Sequence, residues 1–467
     1  MLRVLTTLPF ILPTVVVAAG FNALIGPNGW LNLAAMALFH LDTPPVQLLN
    51  SLGAILLAHI FYNTSVVIRL VGSAWSQLDP RLEQAARTLG ASPLRAFSEV
   101  TLHLLAPAIL AAALLVFLFD FTSFGVILLL GGPHFATLEV EIYIQAIQML
   151  NLPQAALLSA VQLACTLLLT VAYQRVTQGR DVPLAPRLKG EATSAPDSLR
   201  QRLFVSGMAG VLVILLVLPL AALALRSVTK LEADRGERGP VQTGLTLDYY
   251  TELAVNRRGS LFYVPPFEAV KNSVLYAGAT VLFSVSMGLL AAYALKRRSR
   301  LNRWLDPLLM LPLGASAVTL GLGFIIVFNG PPLDVRSFPL LIPIAHSLVA
   351  FPFVVRTLQP ALASIPINLR QAAASLGASP WRVWWEVDRL ILARAVLVSS
   401  TFAFTISLGE FGATTFLARP DAPTLPVAIF RFLSQPGALN YGQALAMATL
   451  LMAVCGFGIW LMEKLND

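Results

Sequence analysis

The chain has 467 residues, of which 57% are hydrophobic and only 12% charged, and its mean hydropathy is +0.74. A soluble domain carries about twice that share of charge, so the composition excludes a soluble enzyme or binding module and places the chain in a bilayer. The net charge of +8 does not mark a nucleic-acid binder, because the basic residues cluster in short segments between apolar runs.

A spanning helix needs about 20 mostly apolar residues. Ten segments meet that length: 4–26, 47–71, 107–130, 152–174, 203–226, 269–295, 306–329, 338–358, 394–417 and 442–462. The connector after the fourth carries Arg175, Arg180, Arg187, Lys189, Arg200 and Arg202; the one after the sixth carries Lys296, Arg297, Arg298, Arg300 and Arg303. Placing both inside the cell fixes the orientation and puts both termini on the cytoplasmic side. Gly179, Pro183, Pro186, Gly190 and Pro196 make residues 176–202 a solvated linker between a first half, 1–175, and a second half, 203–467. Residues 227–268 form the longest external loop. Cys165 and Cys455 lie in apolar runs and read as packing residues rather than a disulfide or a thiolate metal site.

A polar stretch recurs 287 residues apart: Glu83–Val100 reads EQAARTLGASPLRAFSEV, and Arg370–Val387 reads RQAAASLGASPWRVWWEV. From Gln84 to Val100, eleven of seventeen positions are identical between the copies. A repeated polar element between apolar runs suggests two equivalent docking sites on one face of a membrane protein. Each copy reads as two helices with a hinge. Asp79 caps and Pro80 opens a helix carrying Glu83, Ala85 and Ala86; Gly90 ends it, and Ser92-Pro93 starts a second helix through Arg95 and Glu99. The second copy repeats this with Pro366, Ala372, Ala373, Gly377, Ser379, Pro380, Arg382 and Glu386. Two small residues and a glycine give the first helix a face that a soluble partner approaches closely.

Aligning on the repeat pairs span 1 with span 7, His59 with His346, and Phe124-Gly125 with Phe411-Gly412. Corresponding spans are six apart, an even number, so the halves are a parallel repeat and not the inverted repeat of many secondary transporters. The first half has four spans and the second six. The expectation is an N-terminally short first half, missing two spans and an external loop, with a misplaced start codon or a fragment as its explanation. The pairing of segment 4–26 with span 7 argues against a signal peptide there.

The pattern Glu83-x-Ala85-Ala86-x-x-x-Gly90 resembles the coupling loop of binding-protein-dependent ABC importer permeases, here in the fused form with both permease halves on one polypeptide. Within that family the chain most resembles thiamine importer permeases, then ferric-iron importer permeases. The segments Gly29–Asn32, Ala58–Asn63, Gly131–Tyr143 and Leu408–Ala413 carry this likeness. The resemblance implies an all-α polytopic permease of about ten transmembrane helices in the bacterial inner membrane, with coupling loops at 80–106 and 364–394. It also implies two copies of a cytoplasmic ATPase docked on those loops, ATP and magnesium held there and not on this chain, and an extracytoplasmic binding protein that delivers the solute. The coupling residues it assigns are Glu83, Ala85, Ala86 and Gly90, with Arg370, Ala372, Ala373 and Gly377. Arg370 departs from the glutamate expected at that place, so the role of Glu83 does not transfer to it. His103 and Leu390 stand where proline is usual near the loop ends.

Charges inside spans are costly and mark a pathway or a partner. Asp120 and Glu410 each precede a Phe-Gly pair; they line a cation pathway or fix helix packing by hydrogen bonds. His59 and His346 read as hydrogen-bonding residues rather than metal ligands, and Asn22, Asn63 and Gln162 as contacts between helices. No phosphate loop, zinc-protease helix, nucleophile elbow or paired C-x-x-C occurs. That leaves an ABC importer permease for thiamine or, as the alternative, ferric iron. A secondary transporter would leave the repeated stretch unexplained, and a membrane enzyme would lack a catalytic cluster.

Overall fold

A backbone that crosses lipid must satisfy its own N–H and C=O groups, and the apolar runs of this chain do so as helices. The computed structural model of the chain describes residues 6, 9, 12–132, 134–177, 198–230, 244–255, 264–295, 302, 305, 308–310, 312, 315–330, 333–334 and 338–466. Most of the predicted linker, and the basic cluster 296–300 with Arg303, lie outside the described residues.

The first half contains α1 (Thr14–Ile25), α2 (Trp30–Phe39), α3 (Leu52–Gln77), α4 (Pro80–Thr88), α5 (Pro93–Phe121), α6 (Gly125–Leu130), α7 (Leu138–Tyr143) and α8 (Leu152–Thr177). The second contains α9 (Leu199–Arg226), α10 (Asp248–Thr251), α11 (Pro266–Leu295), α12 (Ala317–Val327), α13 (Leu341–Ala363), α14 (Ile367–Ser375), α15 (Pro380–Gly409), α16 (Gly412–Leu417), α17 (Leu425–Leu433) and α18 (Ala438–Asn466). Eight of these, α3, α5, α8, α9, α11, α13, α15 and α18, contain stretches long and apolar enough to cross a membrane. The chain is an all-α polytopic membrane protein.

Three expectations about the spans need correction. Segments 4–26 and 306–329 are each interrupted, at Leu12-Pro13 and at Ala315-Ser316, and among the described residues the helices after the breaks are α1, of 12 residues, and α12, of 11 residues. Segment 107–130 is not one helix: α5 begins at Pro93 and stops at Phe121, and α6 restarts at Gly125. Segment 394–417 is likewise divided between α15 and α16 at Glu410-Phe411. Hydropathy alone runs through both breaks because Phe, Gly and the residues beyond them stay apolar.

The halves exchange contacts reciprocally. Helix α1 packs on α9, α17 and α18 of the second half, and α12 packs on α7 and α8 of the first. Trp30 Nε1 donates to the Ala222 carbonyl at 3.2 Å, and Tyr441 Oη donates to Asn22 Oδ1 at 3.0 Å, so polar groups also tie the halves. One apolar core therefore takes in Leu12 to Cys455 across both halves. Helices α11, α13 and α15, which also reach that core, pack on one another around a second cluster at Val354, Leu358 and Leu392.

Candidate functional site

The repeated stretch folds alike twice except at its start, where Pro366 does not open the helix as Pro80 does: α14 begins at Ile367 and has no side-chain cap. Asp79 accepts the Arg81 N–H at 2.9 Å and caps α4, with Pro80 in the first turn. The helix closes with Ala91 N–H on the Ala86 carbonyl at 3.1 Å, and α14 closes with Ala378 N–H on the Ala373 carbonyl at 3.1 Å. Both closures need a residue in the left-handed region; Gly90 (φ 94°) and Gly377 (φ 82°) supply it without the steric cost of a side chain. Ser92 and Ser379 then accept the N–H groups of Arg95 and Arg382 and cap the next helix. A π turn follows in each copy, at Phe97–Thr101 and at Trp384–Asp388, again 287 residues apart.

Neither α4 nor α14 buries a single residue. A nine-residue helix with no buried face is marginal by itself. Ala85 and Ala372 are exposed, Ala86 and Ala373 partly covered. Sequence reasoning missed the leucines at the tips. Leu89 and Leu376 are each 89% exposed, next to the hinge glycines. The signal was present, since both copies keep leucine before the glycine, but a leucine there also reads as an ordinary helix residue.

Each first helix is tied to the π turn by a bond over the same 18-residue separation, with different chemistry. Glu83 accepts the Thr101 hydroxyl at 3.2 Å. Arg370 makes a bidentate pair with Asp388, at 2.7 and 3.0 Å, and Asp388 also accepts Tyr293 Oη of α11 at 2.9 Å. Arg370 thus departs from its counterpart together with its partner: a carboxylate facing a hydroxyl in one copy becomes a guanidinium facing a carboxylate in the other.

The carboxylates Asp120 and Glu410 lie at the two helix breaks, and the repeat relates them crosswise. Asp120 corresponds to Ser407, and Ser123 to Glu410. In the first half His59 Nε2 bonds Ser123 Oγ at 2.9 Å and stands 3.9 Å from Asp120, which accepts Asn63 Nδ2 at 2.8 Å. In the second half His346 bonds Ser407 at 2.7 Å and Thr414 at 2.7 Å, and stands 3.2 Å from Glu410. Glu410 accepts the Ala413 and Thr414 N–H groups and the Thr414 hydroxyl, and so caps α16. Its carboxylate is 4% exposed and committed to protein donors, whereas that of Asp120 is 33% exposed. The bonds of Glu410 to Ala413 and Thr414 lie within its own half. His59 and His346 are both buried and hydrogen-bonded. Gln162 donates to the buried Glu139, and Asn63 and Asn22 also bridge helices.

Where the halves meet, the residues after the two breaks form an aromatic cluster. Phe124 and Phe411 stack with centroids 5.4 Å apart, and Tyr143 and Phe430, also equivalent in the repeat, flank them at 5.5 and 5.4 Å. Phe416 closes on Tyr143 at 6.0 Å. The glycine after each phenylalanine permits this approach: a side chain at Gly125 would meet Thr14 at the start of α1, and one at Gly412 would meet Ala317 at the start of α12.

Residues 284–466 match the family described as the binding-protein-dependent transport system inner membrane component. Along its length the chain is 27% identical to a probable ABC transporter permease, y4fN, of Sinorhizobium fredii, covering all of this chain and 81% of the relative. It is 25% identical to the thiamine transport system permease ThiP of Escherichia coli, covering 99% of this chain and 81% of the relative. A putative 2-aminoethylphosphonate transport system permease, PhnV, of Salmonella choleraesuis is 27% identical over 54% of this chain, and that match takes in 92% of the relative.

Proposed function

We propose that this chain, a fused permease of the binding-protein-dependent ABC importer family, carries thiamine inward across a bacterial inner membrane, driven by ATPase subunits docked on α4 and α14. The paired tips carry the coupling part of this reading. Two helices with no buried face, each presenting an exposed leucine and alanine beside a glycine hinge, suit insertion into clefts of a soluble partner. Glu83, Ala85, Ala86 and Gly90 form one contact, and Arg370, Ala372, Ala373 and Gly377 the other. The bonds Glu83–Thr101 and Arg370–Asp388 then pass a movement of each tip into α5 and α15. Those helices end at the breaks that lead into Phe124 and Phe411, so a rigid-body shift of the tips reaches the aromatic cluster.

In this reading the cluster around Phe124 and Phe411 is the closed gate. The five rings pack on one another where the halves meet, and separating α5–α6 from α15–α16 opens the gate. Both chain termini and both tips face the cytoplasm, and an extracytoplasmic binding protein delivers the solute at the opposite side. Thiamine is chosen because the whole-length relatives include thiamine permeases. Radiolabelled thiamine uptake into proteoliposomes holding the permease, its ATPase and its binding protein, with ATP inside, tests the choice. Uptake above the ATP-free control supports it; ATP-stimulated hydrolysis without thiamine uptake gives the system another solute.

A further inference from the structure

One buried carboxylate takes no part in the tips or the helix breaks. Glu139 is 1% exposed on α7, one turn before Tyr143 of the aromatic cluster. It accepts Gln162 Nε2 of α8, and Ser316, the residue that caps α12, acts on the same carboxylate from the second half. Gln162 Oε1 and the hydroxyls of Ser159 on α8 and Thr319 on α12 are buried and meet no hydrogen-bond partner among the described residues. Buried polar atoms left without partners are costly and call for an explanation. The repeat shows that packing does not require them. Helix α1 meets α17 and α18 as α12 meets α7 and α8. There Pro426, Thr449 and Ala446 stand for Glu139, Gln162 and Ser159, and Pro13 and Val16 of the α1 end stand for Ser316 and Thr319. One of two equivalent interfaces thus closes without a carboxylate.

We propose that Glu139 and Gln162 form the station at which the permease holds a monovalent organic cation, here the thiazolium group of thiamine, once the halves part. The proposal rests on the thiamine reading above. A lone carboxylate neutralises one positive charge, and Gln162 Oε1 accepts from an amine of the same ligand. Tyr143, released from Phe416 when the halves part, offers its ring face to the cation. In the closed chain α12 stands in for the ligand: the Ser316 hydroxyl and the positive end of this helix meet the carboxylate. Withdrawal of α12 with the second half removes both, so the cation replaces them, and closure expels it. A ferric ion is a poor occupant, because a hard trivalent cation takes several anionic ligands. Among the described residues no group of three His, Cys, Asp or Glu side chains could hold a metal ion.

The test compares uptake of thiamine with uptake of deazathiamine, its neutral isostere with carbon in place of the thiazolium nitrogen, in proteoliposomes holding the permease, its ATPase and its binding protein. The binding protein is common to all samples, so a change in the ratio between the two solutes belongs to the permease. Glu139→Gln should lower thiamine uptake about tenfold relative to the analogue, and Glu139→Asp should keep the wild-type ratio. An unchanged ratio in Glu139→Gln, or an equal loss for both solutes, overturns the site and leaves the thiamine reading standing. Absence of thiamine uptake by the wild-type permease removes that reading and the site with it. Should Glu139→Gln fail to assemble, or the analogue not be carried, the wild-type complex is treated with dicyclohexylcarbodiimide and modification of Glu139 is read by mass spectrometry. Modification during ATP turnover that thiamine prevents is expected; no modification, or modification that thiamine leaves unchanged, overturns the proposal.

Discussion

Phe124 and Phe411 hold the same place in the two copies of the repeat and stack on each other, ring centroids 5.4 Å apart and planes 23° from parallel. A residue that meets its own repeat equivalent marks the pseudo-two-fold axis between the halves. At this level the halves therefore meet through a self-complementary contact.

Replacing both rings by alanine should open a leak. Each Phe→Ala change in a packed core costs about 3–5 kcal/mol, so the single variants lose stability as well as closure. Passive solute flux in proteoliposomes without ATP should rise in Phe124→Ala/Phe411→Ala and stay at the wild-type level in a double Ala control at the exposed Leu218 and Leu225. Equal flux in all three proteins would show that the cluster is packing and not a gate.

The tips should matter for partner binding and not for folding. Leu89 and Leu376 are each 89% exposed, so Leu89→Asp and Leu376→Asp should leave stability within about 0.5 kcal/mol of wild type. Co-purification of the ATPase is expected to weaken with either change and to fail with both.

The link at the second tip should be the more sensitive of the two. Arg370→Ala leaves Asp388 largely buried without its guanidinium, a loss of about 3–5 kcal/mol for a buried pair broken from one side. Glu83→Ala removes a bond to a hydroxyl and should cost about 1 kcal/mol. Thermal unfolding in detergent measures both, and Arg370→Glu with Asp388→Thr, which copies the first half, should recover most of the Arg370→Ala loss.

Gly90→Ala and Gly377→Ala should each cost about 1–2 kcal/mol, because a side chain in the left-handed region is strained. A Cβ at either place meets no neighbouring atom within 4 Å, so the cost is backbone strain and not crowding. Gly→Asn at the same positions, which tolerates that region better, should recover part of it.

Much of this was legible in the sequence because it is written in local rules. The repeat, Asp79 and Pro80 opening α4, Gly90 and Gly377 at positive φ, and the polar bridging roles of Asn63 and Gln162 follow from capping, turn chemistry and the cost of polar groups in lipid. The helix breaks at Thr122–Phe124 and Glu410-Phe411 were not legible, since a hydropathy window sees an unbroken apolar run. Nor was the exchange of carboxylate and serine between Asp120/Ser123 and Ser407/Glu410. The spacing from each carboxylate to its Phe-Gly pair differs by three residues, and only the fold shows that both surround an equivalent histidine. Arg370 looked like a defect in its copy; the compensating Asp388 sits 18 residues on, where no sequence window joins them.

The most direct measurement is ATP hydrolysis by the reconstituted permease, ATPase and binding protein, with thiamine added, comparing wild type with Leu89→Asp/Leu376→Asp. Coupling through α4 and α14 predicts hydrolysis stimulated by thiamine in the wild type and no stimulation in the double variant. Undiminished stimulation with both tips charged would contradict it.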